Sequence, residues 1–404
     1  MSLSSWIAKR RWRARQKSQG NGAAPPVRVL YLFPEYYLNS PWAVIAMVLR
    51  HAAVNGIEPT VVLGEHTQGL LDFGGVEIPV LRMKFDGKAN LSTMKALRAL
   101  VLEREIDVIH IVDSWPSLRA GTMLSLLSRT PLVIHFHSIP RLWTPKKRAA
   151  LKTAATVSGA IVGVSKFVRD GIEEYIGIRS SALTWVHNGV DVERFTPVVD
   201  GTTMRKTLGF KDGTIAVIEP ARFWYLKGQP DLVRAVAIAR KQNPAIELAL
   251  IGWNDTSASA QGFRAEIEEL AASLGVSDAV RCYDPNLRAQ EIHAAADIVC
   301  LPSIDEPFGL VAVEAQACCR AFVGTVSGAL PEMVTDGVDG LLVPPNSPEQ
   351  LAAALLRLAA DPELRAKLGA NGRVRAAASF AETLLAPRFA TIYRAVLDGS
   401  ALPA

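Results

Sequence analysis

The stretch Asp305-Glu306-Pro307-Phe308-Gly309-Leu310-Val311-Ala312-Val313-Glu314 sets two carboxylates, Glu306 and Glu314, eight positions apart around a glycine. Gly309 gives the backbone the freedom for a tight turn at the mouth of a strand. The apolar run behind it reads as a helix that carries Glu314. A strand, a glycine turn and a helix in succession form the joint of a doubly wound α/β sheet, and ligands bind such sheets beyond the carboxyl ends of the strands. The first amides of the helix are unpaired, and with the dipole they favour an anion. A carboxylate before the turn can accept hydrogen bonds from sugar hydroxyls, and one further into the helix can accept them from a ribose diol.

Upstream, Arg222 and Lys227-Gly228 follow the apolar run Thr214–Glu219. Paired cations match a diphosphate, the arginine forking onto oxygens and the lysine acting as a point charge. They also suit the negative charge that builds on a departing nucleoside diphosphate. Hydroxyl-binding carboxylates flanking a diphosphate site describe a sugar nucleotide.

The pattern extends in both directions. Short apolar runs, strands covered on both faces, are expected at Val27–Phe33, Thr60–Leu63, Asp107–Val112, Pro131–Phe136, Ala160–Val164 and Leu183–His187. Helices are expected at Pro41–Val54 and Leu91–Arg104. After a break at Asn188–Pro197 the rhythm restarts, with strands at Thr214–Glu219, Ile246–Gly252, Ala279–Tyr283, Asp297–Leu301, Ala321–Gly324 and Gly340–Val343. Helices between them are expected at Gln229–Gln242, Phe263–Leu274, Gly309–Cys318 and Pro348–Ala359. This predicts two doubly wound parallel-sheet domains facing across a cleft. The first covers 27–197 and the second 198–379, and a last helix within 380–400 crosses back to the first. Residues 1–26 read as a basic flexible arm, with Lys9, Arg10, Arg11, Arg13, Arg15 and Lys17 beside Trp6 and Trp12, ending in a Gly20–Pro26 linker.

A chain of 404 residues exceeds one comfortable core, and its 49% apolar and 21% charged residues fit a globular protein. No apolar run is long enough to span a bilayer, and Met1–Ile7 is too short and polar for a signal-peptide core, which points to the cytoplasm. The four cysteines have no metal or disulfide spacing. Residues 1–197 hold 25 Lys+Arg against 15 Asp+Glu, a balance of +10; the remainder holds 19 against 24, a balance of −5. Nine basic residues and no acid lie between Ser114 and Arg169. Residues 141–152 mix cations with Leu142, Trp143 and Leu151, as a segment lying on an anionic membrane does. Residues 1–20 invite the same reading. No base-reading module accompanies these cations, so nucleic acid is not an expected partner.

Four segments carry a resemblance to a known family. They are Val186-His187-Asn188-Gly189-Val190-Asp191-Val192-Glu193-Arg194-Phe195-Thr196-Pro197, Ala221-Arg222-Phe223-Trp224-Tyr225-Leu226-Lys227-Gly228, Glu306 through Glu314, and Ser327-Gly328-Ala329-Leu330-Pro331-Glu332 followed by Asp336-Gly337 and Gly340-Leu341-Leu342-Val343. In that order they resemble the motifs of the retaining GT-B glycosyltransferases of family 4, the glycosyl transferases group 1. The resemblance implies that Arg222 and Lys227 hold the donor diphosphate, Glu306 the transferred sugar and Glu314 the ribose. Backbone amides from Phe308 through Gly309 and Leu310 to Val311 would line the pocket, and Asp284 and Pro285 would lie near the base. His137, ending the run Pro131–Phe136, takes the place of the family's histidine beside the reacting sugar.

The same resemblance implies transfer of a hexose-type sugar from a nucleoside diphosphate sugar to an acceptor hydroxyl on a glycan or lipid-linked acceptor, in cell-envelope or exopolysaccharide assembly. It implies no cofactor and no metal; no Asp-x-Asp triplet is present. Three departures stand out. Phe33-Pro34-Glu35-Tyr36-Tyr37 lacks the double glycine frequent after the first strand, Ala221 replaces a glycine before Arg222, and the later loop reads Gly328-Ala329 where the family has two glycines. A nicotinamide enzyme would need a Gly-x-Gly-x-x-Gly turn after a first strand, and neither domain has one. A sugar-nucleotide epimerase and a non-catalytic sugar-nucleotide-binding subunit remain alternatives on the same fold.

Overall fold

The computed structural model describes residues 6–18, 24–34, 40–67, 73–85, 90–178, 181–252, 258–283 and 287–403. Contacts divide the chain into two units, residues 1–189 with 382–404, and residues 190–381.

The first unit opens with α1 (Trp6–Ser18), β1 (Val27–Phe33), α2 (Ser40–Arg50), β2 (Ile57–Gly64), β3 (Val80–Met83), α3 (Leu91–Glu103), β4 (Val108–Val112) and α4 (Trp115–Ser128). It continues through β5 (Leu132–Phe136), α5 (Pro145–Ala155), β6 (Ser158–Gly163), α6 (Lys166–Gly171) and β7 (Leu183–Trp185). The seven strands are ordered β3-β2-β1-β4-β5-β6-β7, all parallel. Every residue of β4 and β5 is buried, which is why both read as unbroken apolar runs.

The second unit comprises α7 (Thr202–Thr207), β8 (Ile215–Pro220), α8 (Gln229–Arg240), β9 (Ile246–Ile251), α9 (Ala258–Ser273), β10 (Val280–Tyr283), α10 (Ala289–Ala295) and β11 (Ile298–Leu301). Then come α11 (Leu310–Ala317), β12 (Ala321–Thr325), α12 (Leu330–Met333), β13 (Leu341–Val343), α13 (Pro348–Ala360) and α14 (Pro362–Ser379). The strand order β10-β9-β8-β11-β12-β13 is again wholly parallel. The order reverses between β8 and β11, the switch point at which such sheets open a crevice. Val217, Leu248, Ile298 and Val323 from the sheet meet Leu232, Val236 and Leu355 from α8 and α13 in one core. Each such side chain contributes about 1.5–3 kcal/mol on burial. The last helix, α15 (Leu385–Asp398), buries Phe389 and Tyr393 in the core of the first unit.

Two expectations need correction. The basic arm is not a flexible segment over Trp6–Ser18: α1 buries Ala8 and Trp12, four residues apart and so on one face. Trp12 Nε1 donates to Asp398 Oδ1 at 2.8 Å, Arg11 donates to the Ile106 carbonyl, and Arg15 pairs with the buried Asp107. These residues are therefore not free to lie on lipid. The boundary expected at Pro197 falls between Gly189 and Val190, because Arg373 donates to the carbonyls of Val192 and Phe195 and ties them to the second unit. The edge strand β3 and several helices, among them α4, α5, α10 and α14, were not expected; β3 is half-exposed, and α14 mixes glycines with cations along its length.

Candidate functional site

The predicted donor residues gather at the switch point of the second unit. β8 ends at Pro220, and the chain leaves through exposed Arg222 into a short turn, Tyr225–Lys227. Gly228 closes that turn at φ +75°, and a β-carbon there would lie 2.1 Å from the Pro302 carbonyl oxygen. Ile304 N donates to the Leu226 carbonyl at 2.8 Å, so the loops after β8 and β11 are bonded to each other. This brings Lys227 Nζ to 2.7 Å from Glu306 Oε2, which also accepts from Ser303 Oγ at 3.0 Å. Glu306 is 5% exposed.

A third loop, after β12, holds Glu306 from behind. Ala329 N donates to the Glu306 carbonyl at 2.8 Å. Gly328, at φ +57°, passes so close that a β-carbon would stand 2.2 Å from that same oxygen. Ala329 is fully buried, so the departure from a double glycine is accommodated there. The guanidinium of Arg222 stacks over the Trp224 ring at 5.0 Å. Ala221 is buried ahead of it.

Gly309 takes φ +100° and starts α11, whose first turn no side chain caps. Phe308 is buried, while Leu310 and Val311 form the first turn. Glu314 projects from the second turn, and its Oε2 lies 3.0 Å from His293 Nε2 on α10. Asp284 and Pro285 fall outside the described residues.

Two groups here were not foreseen. His293 is buried within an apolar Ile-His-Ala-Ala-Ala run, where sequence suggests only core packing. Glu219, at the end of β8, is fully buried, and neither carboxylate oxygen has a hydrogen-bond partner among the described residues. Burial drives its pKa well above the ordinary value; Lys227 opposes the shift and Glu306 adds to it. Burial thus favours its protonated form. Its place in the unbroken run Ile-Ala-Val-Ile-Glu was the available signal.

His137 belongs to the first unit, just past β5. Its amide and that of Ser138 donate to the two oxygens of Asp113, at 3.1 and 3.0 Å, fixing the turn. Its ring lies 4.1 Å from that of His135, and desolvation pulls its pKa down to about 3. His137 is thus a neutral imidazole. Among the described residues no three His, Cys, Asp or Glu side chains cluster as metal ligands, and no helix is long and apolar enough to cross a membrane.

Known proteins resemble both units of the chain. The family model described as glycosyl transferases group 1 matches residues 200–375, and that described as glycosyltransferase family 4 matches residues 42–194. A D-inositol 3-phosphate glycosyltransferase of Streptomyces bingchenggensis is 32% identical over 314 residues, 72% of this chain and 67% of that one. A protein of the same name from Corynebacterium jeikeium is 38% identical over 279 residues, 65% of this chain and 66% of that one. The matched stretches thus span about two thirds of those relatives' own length. A glycosyltransferase from Rickettsia africae superposes with a TM-score of 0.77 at 18% identity, over 93% of this chain and 100% of that one. HepE of Anabaena, solved with UDP and glucose, superposes with a TM-score of 0.76 at 23% identity, over 90% of this chain and 98% of that one. Both units, with their seven- and six-stranded parallel sheets, match GT-B glycosyltransferase structures.

Proposed function

The chain belongs to the glycosyl transferases group 1, and from that premise we propose that it moves a hexose-type sugar from a nucleoside diphosphate to an acceptor hydroxyl, with retention at the anomeric carbon. The observation that carries the reading is the Lys227–Glu306 pair, held at the switch point by three loops beside Arg222 and the uncapped start of α11. In this reading the diphosphate lies between Arg222, Lys227 and the amides from Phe308 to Val311. Glu306 takes the sugar hydroxyls and Glu314 the ribose diol. As the anomeric C–O bond breaks, its electrons pass to the diphosphate, where fixed cations and amide dipoles stabilise the charge. The acceptor hydroxyl attacks from the face the diphosphate leaves, its oxygen bonding the anomeric carbon while its proton passes to the departing diphosphate oxygen. Two cations and a helix N-terminus supply the positive charge, so transfer should survive chelation of divalent metal.

The relatives' name makes an inositol phosphate the first acceptor to try, with glycan and lipid-linked acceptors next, and a further HepE structure, in complex with UDP-glucose, makes that the first donor to try. The test is thermal stabilisation by UDP, GDP, ADP and their hexose conjugates, followed by NMR of the product's anomeric configuration. A ligand at 100 times its dissociation constant adds about 2.7 kcal/mol. A shift lost in Arg222→Ala and Lys227→Ala supports the site; a folded protein unmoved by every nucleotide overturns it.

The same reading places the protein on an anionic cytoplasmic leaflet through α4 and α5. Arg141, Leu142, Lys146, Lys147 and Lys152 are exposed, whereas Trp143 and Leu151 are buried and cannot reach lipid, and Lys146 and Lys147 stack over Trp115 and Trp143. Arg148 instead donates to the carbonyls of Trp143 and Arg141, so it serves the fold. Neutralising Lys146, Lys147 and Lys152 together should abolish sedimentation with phosphatidylglycerol vesicles. Undiminished sedimentation would remove the membrane from the proposal.

A further inference from the structure

We propose that His293 is a positioning residue for Glu314, and that the segment Asp191–Phe195 is the support that holds it there. The proposal rests on the reading of Glu314 as the ribose carboxylate.

His293 is 1% exposed, while the Glu314 side chain is 22% exposed. The contact at 3.0 Å therefore runs from a buried ring to a carboxylate that reaches solvent. Toward a carboxylate, Nε2 must be the donor. The other ring nitrogen, Nδ1, is buried with no hydrogen-bond partner among the described residues. A proton on it would be an unsatisfied buried donor, so a hydrogen on Nε2 is the arrangement this surrounding favours. One oxygen of Glu314 is then engaged, and the other, with no hydrogen bond to the described residues, is left for a hydroxyl. Without that tether Glu314, half-buried in the second turn of an eight-residue helix, has several staggered rotamers open to it. Fixing one in advance removes an entropy cost from ligand binding.

The imidazole has its own backing. The ring of Phe195 meets it edge-on at 5.8 Å. Arg373 donates to the Phe195 and Val192 carbonyls and also to the Ala317 carbonyl, at the end of the helix that carries Glu314. Asp191 Oδ1 accepts from the amides of Glu193 and Arg194, and Arg194 Nε reaches Gln290 Oε1 on α10 at 3.2 Å. The segment is thereby bound to both helices whose side chains meet, one supplying the imidazole and the other the carboxylate. This gives the run Val190–Phe195 a role beyond that of a connection between units.

The experiment compares each ribonucleotide (UDP, GDP, ADP) with its 2′,3′-dideoxy counterpart by calorimetry, on wild type, His293→Phe, His293→Gln and Glu314→Ala. Phenylalanine keeps the edge contact with Phe195 and loses the donor; glutamine keeps an N–H. Loss of one hydrogen bond to a charged group predicts that His293→Phe binds the preferred ribonucleotide about tenfold more weakly. Its dideoxy affinity should stay within about twofold of wild type, because the hydroxyls that Glu314 reads are absent. His293→Gln should keep the wild-type preference for the ribonucleotide. In turnover, His293→Phe should raise KM for the donor and leave kcat nearly unchanged. If His293→Phe weakens both nucleotides equally, or neither, His293 does not act through Glu314 and the inference fails. If Glu314→Ala itself fails to separate ribonucleotide from dideoxynucleotide, the ribose reading fails instead, and the two failures are thus distinct.

Discussion

Lys227 Nζ and Glu306 Oε2 lie 2.7 Å apart, so the cation assigned to a diphosphate and the carboxylate assigned to a sugar are partners of each other. The Glu306 side chain is 7% exposed and that of Lys227 19%. Removing one partner leaves the other a poorly solvated charge. Lys227→Met should cost about 2–3 kcal/mol in denaturant unfolding. The double variant Lys227→Met/Glu306→Gln should cost less than the sum of the two single changes. Additive losses would mean the pair is not coupled.

Arg222 provides the contrast. It is exposed and stacks on Trp224. Arg222→Ala should change stability by less than about 0.5 kcal/mol yet weaken nucleoside diphosphate binding as much as Lys227→Ala does. Paired unfolding and calorimetry on the two variants separate support of the fold from support of the ligand. Equal stability losses would place Arg222 in the scaffold instead.

Gly328 and Gly337 share a left-handed backbone but not their surroundings. A β-carbon at Gly328 would meet the Glu306 carbonyl at 2.2 Å, while at Gly337 nothing lies within 4 Å. Gly337→Ala should therefore cost only the conformational penalty, about 1–2 kcal/mol. Gly328→Ala must also push the loop off Glu306, so it should be more destabilising and should weaken donor binding as well. Equal effects in thermal melts would show that Gly328 is kept for its φ angle alone.

The sequence made the architecture legible because both sheets are parallel and covered, so their strands are short apolar runs. Glu306, Gly309 and Glu314 were legible because their order along the chain mirrors strand end, turn and helix. Contacts between distant segments were not. Nothing near Lys227 in sequence announces that it pairs with Glu306, nor does anything near His293 announce Glu314. The arm failed for a related reason: α1 is dominated by cations, and its buried Ala8 and Trp12 show their role only against Asp398 and the first core. Asp113, which fixes the turn at His137, lies on a different strand end and gave no local sign.

Buried histidines in the first unit set its acid limit. His110 and His135 are fully buried, and their rings lie 5.6 Å apart. Desolvation first, and the neighbouring imidazoles second, lower the pKa of His110 to about 3 and that of His135 well below its ordinary value. In the unfolded chain each titrates near 6.5. Below that pH the unfolded state binds more protons, so stability is full above about 6.5 and falls as pH drops toward the folded values. Each histidine contributes a slope of up to about 1.4 kcal/mol per pH unit. His135→Phe should flatten the pH dependence of unfolding between pH 6 and 4. An unchanged slope would mean that His135 keeps its ordinary pKa in the fold.

Glu219 predicts the opposite sign. Its folded pKa is raised, so the native state holds a proton that the unfolded chain releases above about 4.3. Its contribution is fully present below that pH and is lost as pH rises toward the folded value. As pH rises toward that folded value the wild type carries a growing cost for a buried carboxyl with no hydrogen-bond partner among the described residues. Glu219→Gln, which is neutral at every pH, removes the protonation part of that cost. It should match wild type at pH 4 and exceed it at pH 8 by about 1–2 kcal/mol. Lys227 is drawn to an ionised Glu219 and Glu306 repels it, so donor binding in Glu219→Gln should lose any pH dependence that arises from this group. Chemical unfolding at pH 4 and pH 8 decides the matter: a variant less stable than wild type at pH 8 would mean that Glu219 is ionised and paired in the native protein.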